Sequence, residues 1–237
     1  MGKKIIAIVP AAGLGKRFDP SRKKTFVELD GVPLVIHTFK RLQTEPLITD
    51  IIPVVREEDI ERVFAMVREH GLTKIQKIAP GGNERQDSIY NALNLIEETG
   101  DEFYRESTVL IHDGARPVIP EGTVERLIDG LHGADGSAPG LPAKDTLKKI
   151  SEDSIIISTL DREHVRAIQT PQAFKFNVIK RAYDLAYKDG IHATDDAALV
   201  ERTGGKVRII DGSPLNIKIT TPEDLEMVEY IFKKSNG

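Results

Sequence analysis

No cysteine or tryptophan occurs in this 237-residue chain, methionine appears only three times, and aromatic residues make up 5%. Without cysteine there can be no disulfide, no thiolate metal site and no Cys nucleophile, a composition that suits a reducing cytoplasm, the expected location. An excess of positive charge is also missing. Lys and Arg number 33 against 37 Asp and Glu, for a net charge of -4, so there is no global attraction to nucleic acid or to an anionic membrane, and neither is an expected partner. Any basic site must be local. No apolar run approaches the length of a membrane span. The N-terminus, MGKKIIAIVPAAG, has the charge and apolar run of a signal peptide. That run is short, is cut by Pro10 and leads to no small-residue cleavage site, so a buried first strand is the expected reading. Scarce Cys, Trp and Met beside abundant Lys and Glu also match thermophile usage.

What is present is alternation. Short β-branched runs, IIAIV near the start, IIPVV at Ile51–Val55, KIQKIA at Lys74–Ala79 and TVLIH at Thr108–His112, predict strands. Between them VPLVIHTFKRL, EEDIERVFAMVREH and RQDSIYNALNLIEE carry apolar residues at helical spacing, such as Ile60, Val63, Phe64 and Val67. This order predicts an α/β fold: a mainly parallel sheet with helices on both faces, joined by right-handed crossovers. Ligands of such sheets bind beyond the carboxyl ends of the strands. The loops after the first, third and fourth strands should therefore share one crevice.

One domain, 1–237, is expected, with a departure after Leu141. There TLKKI and SIIIST flank the turn signal SEDS with no helix between them, which predicts a β-hairpin arm at about 143–166. Its apolar side chains need a cover. Either the same arm of a second copy supplies it, making a homodimer, or the hairpin folds back on its own domain. Beyond the arm NVIKRAYDLAY and DDAALVERTG predict helices and VRII a strand. A last helix, PEDLEMVEYIFKK, is capped by Thr221 with Pro222 in its first turn.

The loop VPAAGLGKRF, Val9–Phe18, follows the first strand. As a Walker A loop it fails at both ends, with Pro10 at the first glycine position and Arg17 where Ser or Thr belongs. As a dinucleotide fingerprint it also fails, since Phe18 replaces the third glycine and Val55 and Arg56 stand where an acid should close the second strand. What remains is specific enough. Ala11, Ala12 and Gly13 allow close backbone approach, their N–H groups suit phosphate oxygens, and Arg17 and Lys24 add positive charge. A polyphosphate is the expected ligand; an ordinary turn with solvated cations is the alternative.

Four other stretches carry chemistry. GGNERQDSIYNAL sets Gly81 and Gly82 before a helix starting near Arg85, with Asn83 and Ser88 as neutral groups for a base edge; helix capping by Asn83 is the other reading. LIHDGARP places Asp113 at a strand end, as a Mg²⁺ partner, as an acceptor for a substrate hydroxyl, or in a simple pair with Arg116. Thr146, Arg162 and Thr170 lie on or beside the arm and Thr194 opens the helix of TDDAALVE, where the hydroxyls and guanidinium suit a phosphate monoester; Thr194 also reads as an N-cap. In NIKITTPEDL, strand alternation points Lys218 away from Ile217 and Ile219, toward solvent or the crevice.

PAAGLGKRF, GGNERQDS, HDGARP, KDT, TPQAF, ATDDAALVE and NIKITTPEDL, in this order from about Ile5 to Ile231, resemble segments of the cytidylyltransferases that join CTP to 2-C-methyl-D-erythritol 4-phosphate. The resemblance implies a Rossmann-like nucleotidyltransferase fold with a protruding β-arm that builds a homodimer. It implies that Ala11, Ala12 and Gly13 cradle the CTP phosphates, that Arg17, Lys24 and Lys218 are catalytic, and that Gly82, Asn83 and Ser88 read cytosine. Asp113, Lys218, Thr194 and Thr170 would face the polyol phosphate, together with Thr146 and Arg162 from the arm of a second copy. Mg²⁺ is the implied cofactor, held mainly by CTP phosphates with Asp113 nearby and no residue assigned as its ligand. Three stretches depart from the family pattern: Lys23, Lys24, Thr25 and Phe26 stand for Pro-Lys-Gln-Tyr, Asn83 for a common acid, and Gly114 for a common alanine. Two rivals remain, a ribitol-5-phosphate cytidylyltransferase that shares the loop, TPQ and NIKIT elements, and a CTP-sensing module without turnover.

Overall fold

A computed structural model describes residues 3–13, 24–100 and 102–235. The first half alternates as expected: β1 (Ile5–Pro10), a small hairpin of β2 (Glu28–Leu29) and β3 (Val32–Pro33), α1 (Leu34–Gln43), β4 (Asp50–Val55) and α2 (Ile60–Glu69). Then come β5 (Ala79–Pro80), α3 (Arg85–Glu97), the short α4 (Glu102–Arg105), β6 (Thr108–Ile111) and α5 (Thr123–Gly130). The second half holds β7 (Gly136–Pro142), β8 (Lys148–Ile150), β9 (Ile156–Thr159), β10 (Arg166–Ile168) and β11 (Gln172–Lys175). It closes with α6 (Phe176–Lys188), α7 (Asp196–Arg202), β12 (Val207–Asp211) and α8 (Pro222–Ser235).

The main sheet runs β10-β7-β11-β6-β1-β4-β5, with β12 added in parallel to β7. β1 lies at its centre, parallel to β4 on one side and β6 on the other. β11 enters antiparallel between β6 and β7. Alternation along β1 explains why both faces need helices. Ile6 and Ile8 pack with residues of α3, α6 and α7, whereas Ile5, Ala7 and Val9 pack with α1, α2 and α5. A strand buried on both faces reads as an unbroken apolar run, as IIAIV does. A third, smaller cluster of Leu29, Leu34, Ile219 and Val228 fastens α8 and the chain before it to the edge near α1.

Two predicted strands are largely absent. In KIQKIA the ladder to β4 is reduced to Ala79 and a single bond from the Ile51 N–H to Lys74 O at 2.9 Å, while the Lys74 N–H goes to the Gln43 side chain at 3.0 Å. The chain at NIKIT is not a strand either, because the Asn216 carbonyl is taken by Arg116 and Gln169 side chains. Conversely, β7 is hidden in the sequence GSAPGLP, whose glycines and prolines read as turn. Small size is what its place demands: a Cβ on Gly136 would stand 2.5 Å from the Phe174 ring.

The arm forms as a separate two-stranded antiparallel sheet, β8 with β9, around the turn at 151–154. It is not folded back onto the core. Ile155 and Ile156 are 66% and 60% exposed, and Ile150, Ile157 and Leu160 are open too. At the C-terminus Thr221 caps α8 as expected, its Oγ1 accepting the Asp224 N–H while Asp224 accepts the Thr221 N–H in return.

Replacing Gly136 by Ala forces Phe174 or β7 to shift. The expected loss is about 1–3 kcal/mol of stability, read as a lower urea midpoint with unchanged slope.

Candidate functional site

The ends of β1, β5 and β6 meet at one cleft of about 940 Å³, lined by Ala12 and Gly13 from the first loop, Gly82 and Asn83 from the third, Ser88 from α3, and Asp113 from the fourth loop. Lys218 closes it from the C-terminal segment. The expectation of a shared crevice therefore holds. The first and third loops touch directly, since a Cβ on Gly81 would lie 2.3 Å from that of Ala12, and the Gly81 N–H is tied to the Val55 carbonyl at the end of β4 at 2.7 Å. Ala11 sits just behind, its N–H spent on Val54 O at 2.7 Å. Among the described residues the N–H groups of Ala12 and Gly13 have no hydrogen-bond partner.

The helix behind the third loop starts at Arg85, but its cap is Glu84 in a reciprocal box with Asp87, not Asn83. Asn83 is exposed at the cleft. The Ser88 hydroxyl accepts the Gly82 N–H at 3.1 Å and donates to Glu84 O, so it shapes the glycine turn from below.

Asp113 owes its position to the ladder continuing past β6. The His112 N–H bonds Ile8 O at 2.9 Å and the Gly114 N–H bonds Pro10 O at 3.2 Å. Three cations then converge on the buried carboxylate: Lys218 Nζ at 3.0 Å, Arg116 Nε at 3.2 Å and Arg85 Nε at 3.5 Å. Burial alone would raise the Asp113 pKa, but Lys218, Arg85 and Arg116 together hold it well below the usual carboxylate range. The Asp113–Arg116 pair is thus real and part of a larger cluster. Lys218 faces the cleft because its neighbour Ile219 is buried and donates to Ala115 O at 2.9 Å.

Thr170 stands behind this cluster and is buried. Its Oγ1 accepts the Asp113 N–H at 3.1 Å and lies 3.1 Å from His112 Nδ1. His112 Nε2 faces the Arg116 carbonyl at 2.9 Å, and a carbonyl only accepts, so the proton is on Nε2 and Thr170 donates to Nδ1. Both capacities of the Thr170 hydroxyl are used inside the protein. Burial lowers the His112 pKa to about 4, keeping the ring neutral.

Arg85 was not singled out by the sequence, and it is the hinge of the site. Its Nη atoms grip Asp196 at 3.1 and 2.7 Å, and Tyr183 donates to the same carboxylate at 2.6 Å. Next to it Gln86 bonds Ile191 O and the Ala193 N–H, at 2.9 and 3.0 Å. Gln172 completes the hold through Asp195 and the Ala197 N–H. The loop carrying Thr194 is thereby bolted to the start of α3. Thr194 itself is exposed and does not open α7; Asp195 is the cap, accepting the Ala198 N–H at 3.1 Å, one residue later than expected. The signal that could have found Arg85 is its company, a cation two residues beyond Asn83 and three before Ser88.

Thr146 and Arg162 are exposed on the arm, where the Arg162 guanidinium bonds Lys144 O at 2.9 Å, and neither lines the cleft of its own chain. Arg17 and the Lys24 side chain lie outside the described residues. Among the described residues no group of three His, Asp or Glu side chains could cage a metal. No helix among them is long and apolar enough to cross a membrane.

Since His112 is held neutral, protons bind the unfolded chain first on acidification. Its contribution to stability is complete above about pH 6.5 and falls from there toward pH 4, by up to about 1.4 kcal/mol per pH unit. Urea midpoints measured across that range should fall steeply, and less so in His112→Gln.

The family profile of 2-C-methyl-D-erythritol 4-phosphate cytidylyltransferase (IspD) matches residues 5–234. A protein of that name from Syntrophus aciditrophicus is 42% identical over 238 residues, covering 100% of this chain and 99% of the relative. One from Geotalea uraniireducens is 38% identical over 99% of both chains. The crystal structure of 4-diphosphocytidyl-2C-methyl-D-erythritol synthase from Anaerococcus prevotii superposes with a TM-score of 0.83 at 30% identity, covering 98% of this chain and 100% of that one.

Proposed function

This chain belongs to the 2-C-methyl-D-erythritol 4-phosphate cytidylyltransferase family, and on that premise we propose how its cleft performs the family's reaction. The enzyme transfers a cytidylyl group from CTP to 2-C-methyl-D-erythritol 4-phosphate, releasing pyrophosphate; the full-length matches favour this acceptor over ribitol 5-phosphate. Belonging to a family of transferases also removes the reading as a sensor without turnover.

The observation that carries the mechanism is the cation cluster at Asp113, beside a glycine-lined cleft and two backbone N–H groups without a partner among the described residues. The acceptor's phosphate is already an anion, so attack on the α-phosphorus of CTP needs no general base. The task is to bring two anions together and to stabilise charge gathering on the phosphoryl oxygens. In this reading Ala12 and Gly13 cradle the phosphates, and Arg17, Lys24 and Lys218 hold the α-phosphate. Gly82 and Asn83 meet cytosine over Ser88. Lys218 must then leave Asp113 as it turns to phosphate, and Arg116 and Arg85 keep that carboxylate ionised to accept a polyol hydroxyl. Thr170 serves by fixing Asp113, and Thr194 approaches the acceptor from the bolted loop.

Mg²⁺ suits this donor set only as a passenger of the nucleotide. Asp113 is surrounded by three cations, which leaves the phosphate oxygens as the main ligands; a metal there would neutralise triphosphate charge. The exposed isoleucines of the arm support a homodimer in which the arm of a second copy brings Thr146 and Arg162 to the acceptor. A cytoplasmic location is part of the same reading.

Arg17→Ala and Lys24→Ala should each lower kcat/KM by about 100- to 1,000-fold, corresponding to roughly 2.7–4 kcal/mol, in an assay of pyrophosphate release, with circular dichroism unchanged. Near-normal turnover in either contradicts the mechanism. Light scattering should give twice the chain mass of 26.3 kDa. A monomer at micromolar concentration removes the shared site.

A further inference from the structure

A peptide unit is a rigid plane whose C=O and N–H point in opposite directions. Fixing a carbonyl therefore aims the N–H of the next residue. In the first loop this happens twice in succession. Thr25 Oγ1 donates to Ala11 O at 2.6 Å, and Arg56 Nε donates to Ala12 O at 3.2 Å. The same two planes carry the N–H groups of Ala12 and Gly13, the pair without a partner among the described residues. Ala11 cannot join them, since its own N–H is bonded to Val54.

Both holders are themselves held. Arg56 follows β4 and its Nη1 lies 3.4 Å from a Glu58 carboxylate oxygen, on the side of the guanidinium away from the loop's carbonyl. Thr25 sits in the turn at Lys24–Phe26, and the guanidinium of Arg62 on α2 stacks 3.9 Å above the Phe26 ring. The loop's anion-binding geometry is thus set by two side chains outside it, from different elements.

We propose that Arg56 and Thr25 are positioning residues for the nucleotide's triphosphate, acting by holding the Ala12 and Ala11 carbonyls so that the Gly13 and Ala12 N–H groups face the phosphates. The inference rests on the reading of this loop as the phosphate cradle. It goes beyond that reading in assigning the cradle's shape to residues that the motif itself does not contain. Arg56 also lines the cleft, so the competing role is a direct ion pair with phosphate.

Chemistry separates the two roles. In arginine and in glutamine a nitrogen donor follows directly on Cδ, so Arg56→Gln keeps a donor where Nε stands and removes the charge, while Arg56→Met removes both. Thr25→Ser and Thr25→Val form the matching pair. Full-length protein titrated calorimetrically with CTP, and separately with cytidine, reads the result. Arg56→Met and Thr25→Val should weaken CTP by about five- to tenfold each, the value of one hydrogen bond, while cytidine affinity stays within about twofold and shows that the base pocket is folded. Arg56→Gln and Thr25→Ser should bind CTP close to wild type. If Arg56→Gln loses as much as Arg56→Met, the charge acts directly and the proposal is overturned; the same follows if Arg56→Met and Thr25→Val bind CTP normally. If the wild type binds cytidine as tightly as CTP, the cradle reading itself falls, and this inference with it.

Discussion

Everything at the cleft turns on one buried carboxylate. Asp113 is placed by the ladder between β1 and β6, and its charge survives burial only because three cations converge on it. Removing water from an ion costs several kcal/mol, so such a group persists only where partners replace the lost hydration. Those partners come from the start of α3, the turn after β6 and the segment before α8. A single charge thus gathers three distant parts of the chain at the edge of the cleft.

The fold was legible wherever burial imposed periodicity. IIAIV, IIPVV and the three helices of the first half declare themselves because each residue's face is fixed by the core on its side. Legibility failed where side chains, not ladders, satisfied the backbone. KIQKIA and NIKIT look like strands, yet Gln43, Arg116 and Gln169 take their peptide groups. β7 failed in the opposite sense: its glycines and prolines suggest a turn, although contact with Phe174 is what excludes anything larger at Gly136.

For the site, the motifs picked out stretches that share one cleft but not the links between them. Gly82, Asn83, Asp113 and Lys218 do share a cleft. Thr170 proved to spend its hydroxyl within the protein, and Arg85 and Arg56 carry their weight through partners far along the chain, at Asp196 and Ala12. Local spacing holds no trace of such pairings, since the residues involved are brought together only by the sheet. A guanidinium with several donors in a rigid plane is suited to this joining role.

The clamp of Arg85 and Gln86 on the loop at 191–196 has a consequence for how the enzyme can change. In the proposed reading, the residues that meet the nucleobase and Thr194, which approaches the acceptor, ride on elements joined by these side-chain hydrogen bonds. Widening the pocket by moving α3 would drag Thr194 with it, so donor choice and acceptor choice are mechanically entangled. Evolution or engineering that seeks a new base on this scaffold must therefore work by exchanging side chains in place, or must first cut the clamp and accept disturbance at both substrates.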